Sequence, residues 1–262
     1  MKPPVLLSAA AFAVLSTVSL QAAYVESFDS LNSNGGASNF APQGTWTITD
    51  PEEDVSFLQL ASAYGLPGKA VGLGGFLSEP AGKIVRLSTT VSEALAVSRF
   101  SVDYALINRY AGGAGTFFTE DDRFGFVLSD SSGDLLNIDF NPTGVEDIRQ
   151  VSVNGVAITP NGVVASDYNS PAWYNLGISF AANGGNLDYT LTTAGGTVTY
   201  SGSLAGKAGA VLTSISMEYE VLQGVAGSNY MVVDNLSIPE PSSAITLLGA
   251  LGALALRRNR RK

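Results

Sequence analysis

The chain of 262 residues contains neither cysteine nor histidine. Without cysteine there is no disulfide framework, no thiolate nucleophile and no thiolate metal site. Without histidine there is no Ser-His-Asp triad, no histidine-bound zinc and no imidazole proton carrier. Any catalysis would therefore depend on carboxylates, tyrosine, lysine or arginine.

Positive charge is scarce between the two ends of the chain. Residues 24–238 hold eight of the 14 Lys and Arg residues but 22 of the 23 Asp and Glu residues, a net charge of −14. Such an acidic body repels nucleic-acid phosphate and anionic lipid headgroups, so no nucleic-acid partner is expected. Apolar residues form 45% of the chain, too large a share for disorder and enough for one sizeable core.

The N-terminus has the pattern of a removable export leader. Lys2 precedes an uncharged apolar run over 5–20, and small residues follow at Ala22 and Ala23. This pattern predicts a secretory signal peptide over residues 1–23, cleaved after Ala22 or Ala23. The alternative is a membrane anchor or a buried helix, which the shortness of the run disfavours. We therefore expect export through the secretion translocon.

The C-terminus has three parts in a fixed order. Pro239, Glu240 and Pro241 come first, and an apolar run over 244–256 follows. This run is shorter than the ~20 residues that span a bilayer comfortably, so it predicts a short transmembrane helix of marginal insertion. A basic cluster then acts as a membrane stop; it consists of Arg257, Arg258, Arg260, Arg261 and Lys262.

These three parts over 239–262 resemble the PEP-CTERM sorting signal of Gram-negative-type bacteria. The resemblance implies processing near the Pro-Glu-Pro triplet by exosortase, a membrane-embedded cysteine protease or transpeptidase. It also implies delivery to the cell surface and an association with exopolysaccharide and biofilm matrix. The inner-membrane anchor would be transient or retained. The alternative is an ordinary C-terminal anchor behind a proline-rich linker.

Between the two ends, apolar residues alternate with polar ones, and turn signals separate the runs. The period of two predicts roughly twelve half-buried strands, which must pack as two antiparallel sheets over 24–238. The turn signals are 130–133, Asn154-Gly155, Asn161-Gly162, 183–185 and Gly195-Gly196. Residues expected to share the buried faces include Ile48, Phe100, Val102, Tyr104, Leu106, Phe124, Phe126, Leu128, Tyr174, Leu176, Ile178, Phe180, Leu187, Tyr189, Leu191, Ile215, Met217, Tyr219 and Val221. Tyr230, Val232 and Leu236 frame the last strand.

The order of these segments resembles the concanavalin A-like jelly roll of laminin G domains and legume lectins. The matching segments run from F-D-S near the start, through F-S-V-D-Y and F-G-F-V-L-S-D-S-S-G-D, to W-Y-N-L-G-I-S-F and V-V-D-N-L-S-I. The resemblance implies an all-β jelly-roll β-sandwich. A galactose-binding-like jelly roll is the alternative.

A structural calcium site is one interpretation of the acidic residues near the two ends of the sandwich. The first and last strands of jelly rolls are often neighbours, which would bring Glu26 and Asp29 close to Asp234. Carboxylates with backbone carbonyls can supply the six to eight oxygens that Ca²⁺ takes. In the alternative interpretation Glu26 faces solvent and Asp234 belongs to a turn.

A glycine-rich segment after the predicted strand 98–106 is a candidate ligand loop. Asn108, Tyr110, Phe117 and Phe118 offer polar and aromatic contacts for a sugar ring. Trp46 stands in an alternating strand and is expected in the core. For catalysis, the nearest approach to a carboxylate pair is Glu218 and Glu220, which share one strand face, and a solvated face is the expected role.

The sequence therefore predicts an exported, non-catalytic cell-surface or matrix protein that binds carbohydrate. A carboxylate-based glycan hydrolase or lyase and a protein–protein adhesion module are the alternatives. Two convergent carboxyl groups in a groove would favour the hydrolase.

Overall fold

The computed structural model describes residues 22–29, 45–49, 56–60, 69–74, 82–94, 99–108, 122–140, 151–158, 166–167, 172–193, 197–221 and 229–239. Within these ranges the chain forms sixteen strands and no helix. The strands are β1 (Ala22–Glu26), β2 (Trp46–Ile48), β3 (Ser56–Leu60), β4 (Lys69–Gly74), β5 (Ile84–Ala94), β6 (Arg99–Asn108), β7 (Asp122–Asp130), β8 (Gly133–Phe140), β9 (Val151–Val153), β10 (Val156–Ile158), β11 (Ser166–Asp167), β12 (Tyr174–Asn183), β13 (Asn186–Thr193), β14 (Thr197–Leu204), β15 (Val211–Val221) and β16 (Asn229–Pro239).

The strands form two sheets, which confirms the predicted all-β sandwich. The nine-stranded sheet has the order β14-β13-β12-β6-β16-β4-β3, with β1 beside β16 and β11 beside β6. The seven-stranded sheet has the order β10-β9-β8-β7-β15-β5-β2. Every pair is antiparallel except the two-residue pair of β11 with β6. Several short strands bring the number above the predicted twelve.

The core lies between the two sheets, where alternate residues of each strand meet. The expected inward residues of β6, β7, β12, β13 and β15 are buried there, except Tyr174, which is partly buried, and Val221, whose side chain is not described; Trp46 is only 1% exposed. Tyr104 packs against Phe126 and Phe140, with ring centroids 6.1 and 4.9 Å apart. The period of two thus identified the buried faces correctly.

The last strand differs from its predicted pattern. Met231 and Val233 face the core, whereas Val232 is buried outside the core cluster. A bulge at Asn235, which has a positive φ of 50°, then reverses the alternation, so that Leu236 and Ile238 face the core. The extra residue of a bulge shifts every following side chain to the other face, which plain alternation cannot reveal.

Three of the predicted turns connect paired strands. Asn154 and Gly155 both have positive φ, 50° and 75°, as the tight turn between β9 and β10 requires. Gly184 and Gly185 join β12 to β13, and the turn at 130–133 joins β7 to β8. Asn161-Gly162 and Gly195-Gly196 lie outside the described residues.

The two ends of the chain lie largely beyond the described ranges. The predicted leader is described only at Ala22 and Ala23, which belong to β1, and the predicted helix over 244–256 is not described. Among the described residues, no helix has the length and apolar character needed to cross a membrane.

Candidate functional site: a polar groove on the nine-stranded sheet

A groove of about 560 Å³ crosses β6, β12 and β13 on the side of the nine-stranded sheet that faces away from the core. Its lining alternates with the core residues of the same strands, because neighbours in a strand point to opposite faces. Two further residues that line the groove, Phe100 and Ile178, have buried side chains. The outward-facing lining consists of Arg99, Ser101, Asn175, Gly177, Ser179, Thr190 and Thr192.

Gly177 creates the low point of the groove. It pairs with Ser101 on one side and with Thr192 on the other. A Cβ at this position would lie 2.7 Å from the Thr192 Oγ1, which donates a hydrogen bond of 3.2 Å to the Gly177 carbonyl oxygen. A side chain at position 177 would therefore fill the groove and displace Thr192.

A hydrogen-bond network fixes the polar groups at one end of the groove. The Asn175 Nδ2 donates to the Asp103 Oδ1 at 2.7 Å and to the Ser101 Oγ at 3.0 Å. The Asn235 Nδ2 donates to the other Asp103 oxygen at 3.0 Å. Asp103 thus links β6, β12 and β16, and the network holds these side chains in one arrangement before any ligand binds.

The groove offers hydrogen-bond donors and acceptors. Hydroxyl and amide side chains can both donate and accept hydrogen bonds, and the exposed Arg99 adds a cation for which the described residues provide no partner. The arrangement is suited to binding a polar, hydroxyl-rich molecule.

The structure brings the three predicted metal ligands together, and it adds a carboxylate that the sequence analysis missed. β1 pairs with β16, as expected for the first and last strands. Asp234 is only 3% exposed. The pKa of Asp234 is raised to about 6: burial is the largest cause, the hydrogen bond from the Asn235 N–H lowers the pKa, and the charges of Asp29, Asp103 and Glu26 add to the rise.

Glu26 accepts hydrogen bonds from two protein donors. The Glu26 Oε1 accepts a hydrogen bond from the Phe28 N–H at 2.8 Å, and its Oε2 accepts one from the Trp46 Nε1 at 3.3 Å. Among the residues that the structure describes, no group of three or more acidic side chains is placed to hold a metal ion. Calcium binding at Glu26, Asp29 and Asp234 therefore stays a prediction.

The carboxylate pair of β15 lies in a charged cluster on the outward side of the seven-stranded sheet. The Glu218 Oε2 accepts hydrogen bonds from the Arg86 Nε at 2.9 Å and Nη2 at 2.6 Å. Arg123 pairs with both Glu218 and Glu220. Glu218 is 7% exposed, so the predicted solvated role is wrong for this residue. Asp139, 3.9 Å from the Arg123 Nε, has a pKa raised by burial.

Most of the other predicted site residues lie at or beyond the edge of the described chain. Asn108 ends β6 and pairs with Asn229, but its side chain is outside the description. Pro239 ends β16. The remaining residues fall outside the described ranges: Tyr110, Phe117, Phe118, Glu240, Pro241, Arg257, Arg258, Arg260, Arg261 and Lys262.

Comparison with known proteins identifies the C-terminal signal. Residues 237–262 match the family model of the PEP-CTERM protein-sorting motif, which confirms the resemblance seen at 239–262. No curated protein sequence matches the chain.

Solved structures with a similar fold include two legume lectins and a phage module. Lectin II from Ulex europaeus is 11% identical with a TM-score of 0.43, covering 84% of this chain and 99% of the lectin. Peanut lectin with a nine-residue peptide is 10% identical with a TM-score of 0.42, covering 78% and 94%. The CBM2 module of the Lactobacillus casei BL23 phage J-1 evolved Dit is 12% identical with a TM-score of 0.45, covering 84% and 96%.

Proposed function

We propose that this protein is exported, sorted to the cell surface or extracellular matrix, and active there by binding rather than by catalysis. The observation that carries this proposal is the sorting motif at residues 237–262. Its partners would be the secretion translocon, a processing exosortase and the exopolysaccharide of the matrix. An acidic body without cysteine or histidine is compatible with a matrix protein that needs no redox or imidazole chemistry.

The proposed ligand is a hydroxyl-rich polysaccharide bound in the polar groove of β6, β12 and β13. Sugar hydroxyls both donate and accept hydrogen bonds, as do the serine, threonine and asparagine side chains of the groove. The network around Asn175 and Asp103 is already ordered, so binding would cost little side-chain entropy there. The strongly negative body favours neutral over polyanionic chains.

Removing the Asn175 amide tests this site. We expect Asn175→Ala in the full chain to weaken binding to a neutral polysaccharide about tenfold, because two or three hydrogen bonds of about 1 kcal/mol are lost or rearranged. Affinity electrophoresis against dextran and against the polysaccharide of the producing cell measures the change. Thr47→Ala, on an exposed position of β2 in the other sheet, is the matched control and should bind like wild type.

Two results would overturn the proposed ligand site. One is the absence of binding by the wild-type chain to any polysaccharide of the panel. The other is equal weakening by Asn175→Ala and Thr47→Ala, since only the first changes the groove.

A hydrolase is the second candidate, and one observation favours it. Asp139 is half-buried, its pKa is raised chiefly by burial, and it interacts electrostatically with Glu218 on the same side of the sheet; two neighbouring carboxyl groups are what glycoside hydrolysis requires. Against it, Glu218 and Glu220 are both occupied by arginines. Reducing-sugar release from the same polysaccharides, abolished by Glu218→Gln, would establish the hydrolase instead.

A further inference from the structure

The sorting motif and the last strand overlap. Ser237, Ile238 and Pro239 begin the matched motif and also end β16. Ile238 is 1% exposed and belongs to the core. The start of the motif is therefore part of the folded sandwich, and only the residues after Pro239 lie beyond its last strand.

Strand β1 covers this end of β16. The first half of β16 pairs with β4, whereas the second half pairs with β1, with Ala22 opposite Pro239 and Val25 opposite Ser237. On the other side of β16, the pairing with β6 reaches Ser237 but not Ile238 or Pro239. For Ile238 the ladder partner within the described sheet is Tyr24 of β1, which remains after the predicted leader cleavage, whereas Ala22, the partner of Pro239, is removed by that cleavage.

β1 is itself anchored to both sheets. The Tyr24 hydroxyl shares a hydrogen bond of 3.2 Å with the Thr89 Oγ1 of β5, in the opposite sheet, and its ring packs against the core. Glu26 binds the Phe28 N–H and the Trp46 indole, both of which belong to buried residues. Releasing β1 from β16 would break these contacts as well as the ladder.

We propose that β1 is a clamp that sets the N-terminal limit of proteolytic processing in the sorting motif, so that no peptide bond before Pro239 is cut. This rests on the proposed sorting function. Endopeptidases bind their substrates as extended, unpaired chain, and residues held in a ladder reach that state only by local opening. In the cleavage itself the C–N bond of the amide breaks, water supplies hydroxide to the acyl carbon, and the new amine takes the proton.

The same pairing places two ends of the domain side by side. Because Tyr24 lies opposite Ile238 in an antiparallel pair, the start of β1 and the end of β16 lie at one edge of the sandwich. A membrane enzyme that processes the tail would therefore meet the clamp and the start of the motif together.

Two variants change the clamp in opposite directions. Val25→Cys with Ser237→Cys locks it, because directly opposed Cβ atoms lie close to the span of a disulfide and the chain has no other cysteine. Val25→Pro weakens it, since proline cannot donate to a ladder. Val25 is 63% exposed, so neither substituted side chain enters the core. Val156→Pro in β10, at an edge strand and 53% exposed, is the matched control.

The measurement is the C-terminal mass of each full chain after two treatments: processing in the producing cell, and limited digestion with proteinase K in vitro. For wild type and the Val156→Pro control we expect C-termini at or beyond Pro239. For Val25→Pro we expect additional C-termini within 236–239. Oxidation of the cysteine pair should slow cleavage within 236–239 about tenfold or more relative to its reduced form, because cleavage follows the open fraction.

The digestion in vitro separates the clamp from the sorting function. If the tail stays intact in the cell while proteinase K stops at Pro239, the sorting function fails and the clamp stands. Cleavage of wild-type chain before Pro239, or equal cleavage of the oxidised and reduced cysteine variants, would overturn the clamp. The oxidised-against-reduced comparison uses one chain, so the result holds even where Val25→Pro does not fold.

Discussion

At the scale of single residues, Asp234 shows how position alone changes the behaviour of a carboxylate. It follows Val233 in the last strand and precedes the bulge at Asn235, where the chain brings Glu26, Asp29 and Asp103 into range. Burial and these like charges disfavour its ionised form, so its pKa rises to about 6. The group therefore binds a proton more tightly in the folded than in the unfolded chain.

This raised pKa predicts a pH dependence with a definite sign. Between pH 4 and 6 the folded state holds the proton that the unfolded state has lost, so stability falls as pH rises through this window and stays lower above it. Asp234→Asn, which keeps the oxygen that accepts from Asn235, should stabilise the protein at pH 7 by about 1 kcal/mol after allowance for solvent screening.

Thermal melts of the wild-type and Asp234→Asn chains at pH 4 and pH 7 measure this effect. At pH 4 the two should melt together, because Asp234 is then largely protonated in the folded chain. A lower melting temperature of the variant at pH 7 would contradict the assigned role. The hydrogen bonds from Ser203 and Asn183 lower the pKa of Asp188, so Asp188→Asn should have the opposite effect and lower the melting temperature at pH 7.

Residue identities predicted the core well and the candidate site poorly. Trp46 was expected in the core because it alternates with threonines, and it is buried. The groove was missed because serine, threonine and asparagine on the outward side of a strand look like ordinary solvent-facing residues. Only the pairing of β6 with β12 and of β12 with β13 places Ser101, Asn175 and Thr192 together, and a single sequence does not contain that pairing.

At the scale of elements, β7 depends on a glycine in the middle of the seven-stranded sheet. Gly125 pairs with Asp139 on one side and with Glu218 on the other. A Cβ at this position would lie 2.8 Å from the backbone oxygen of Ile138 and 3.1 Å from the Asp139 Oδ1. The backbone of paired strands can shift only at an energetic cost. The absence of a side chain at Gly125 therefore allows β7 and β8 to pair beneath the charged cluster.

Gly125→Ala should therefore destabilise the sandwich by about 1–3 kcal/mol through overpacking. Urea unfolding followed by tryptophan fluorescence measures the change, since Trp46 is buried in the same core. Gly209→Ala is the matched control: its Cβ would meet nothing within 4 Å, so its effect should stay within about 0.5 kcal/mol. Equal effects of the two substitutions would show that the close approach at Gly125 does not limit stability.

Structural elements could be predicted where local residue chemistry determines the conformation, but not where pairing between distant strands determines it. The Asn154-Gly155 turn follows from the positive φ that asparagine and glycine tolerate, and the structure has it. The bulge at Asn235 has no local signature, because it arises in the pairing of β16 with β6, and the pairing of β1 with β16 was expected only because the first and last strands of jelly rolls are often neighbours. The phase of the last strand was wrong for this reason.

At the scale of the whole molecule, the charge of −14 over 24–238 makes stability depend on ions. Repulsion among exposed carboxylates weakens the compact state, and any salt reduces it as the Debye length falls to about 10 Å at 0.1 M. A specific calcium site would add stability beyond this general screening, because it stabilises only the folded chain in proportion to occupancy. The two contributions can be separated by comparing ions at equal ionic strength.

We expect calcium chloride to raise the melting temperature at pH 7 more than sodium chloride of equal ionic strength, with the excess reversed by EDTA. The reason is the crowding of Glu26, Asp29, Asp103 and Asp234, whose mutual repulsion a divalent cation would offset. In Asp234→Asn the excess should largely vanish while the response to sodium chloride persists. If calcium and sodium raise the melting temperature of the wild-type chain equally, the hydrogen bonds that Glu26 accepts are enough to stabilise this acidic group, and calcium has no structural role there.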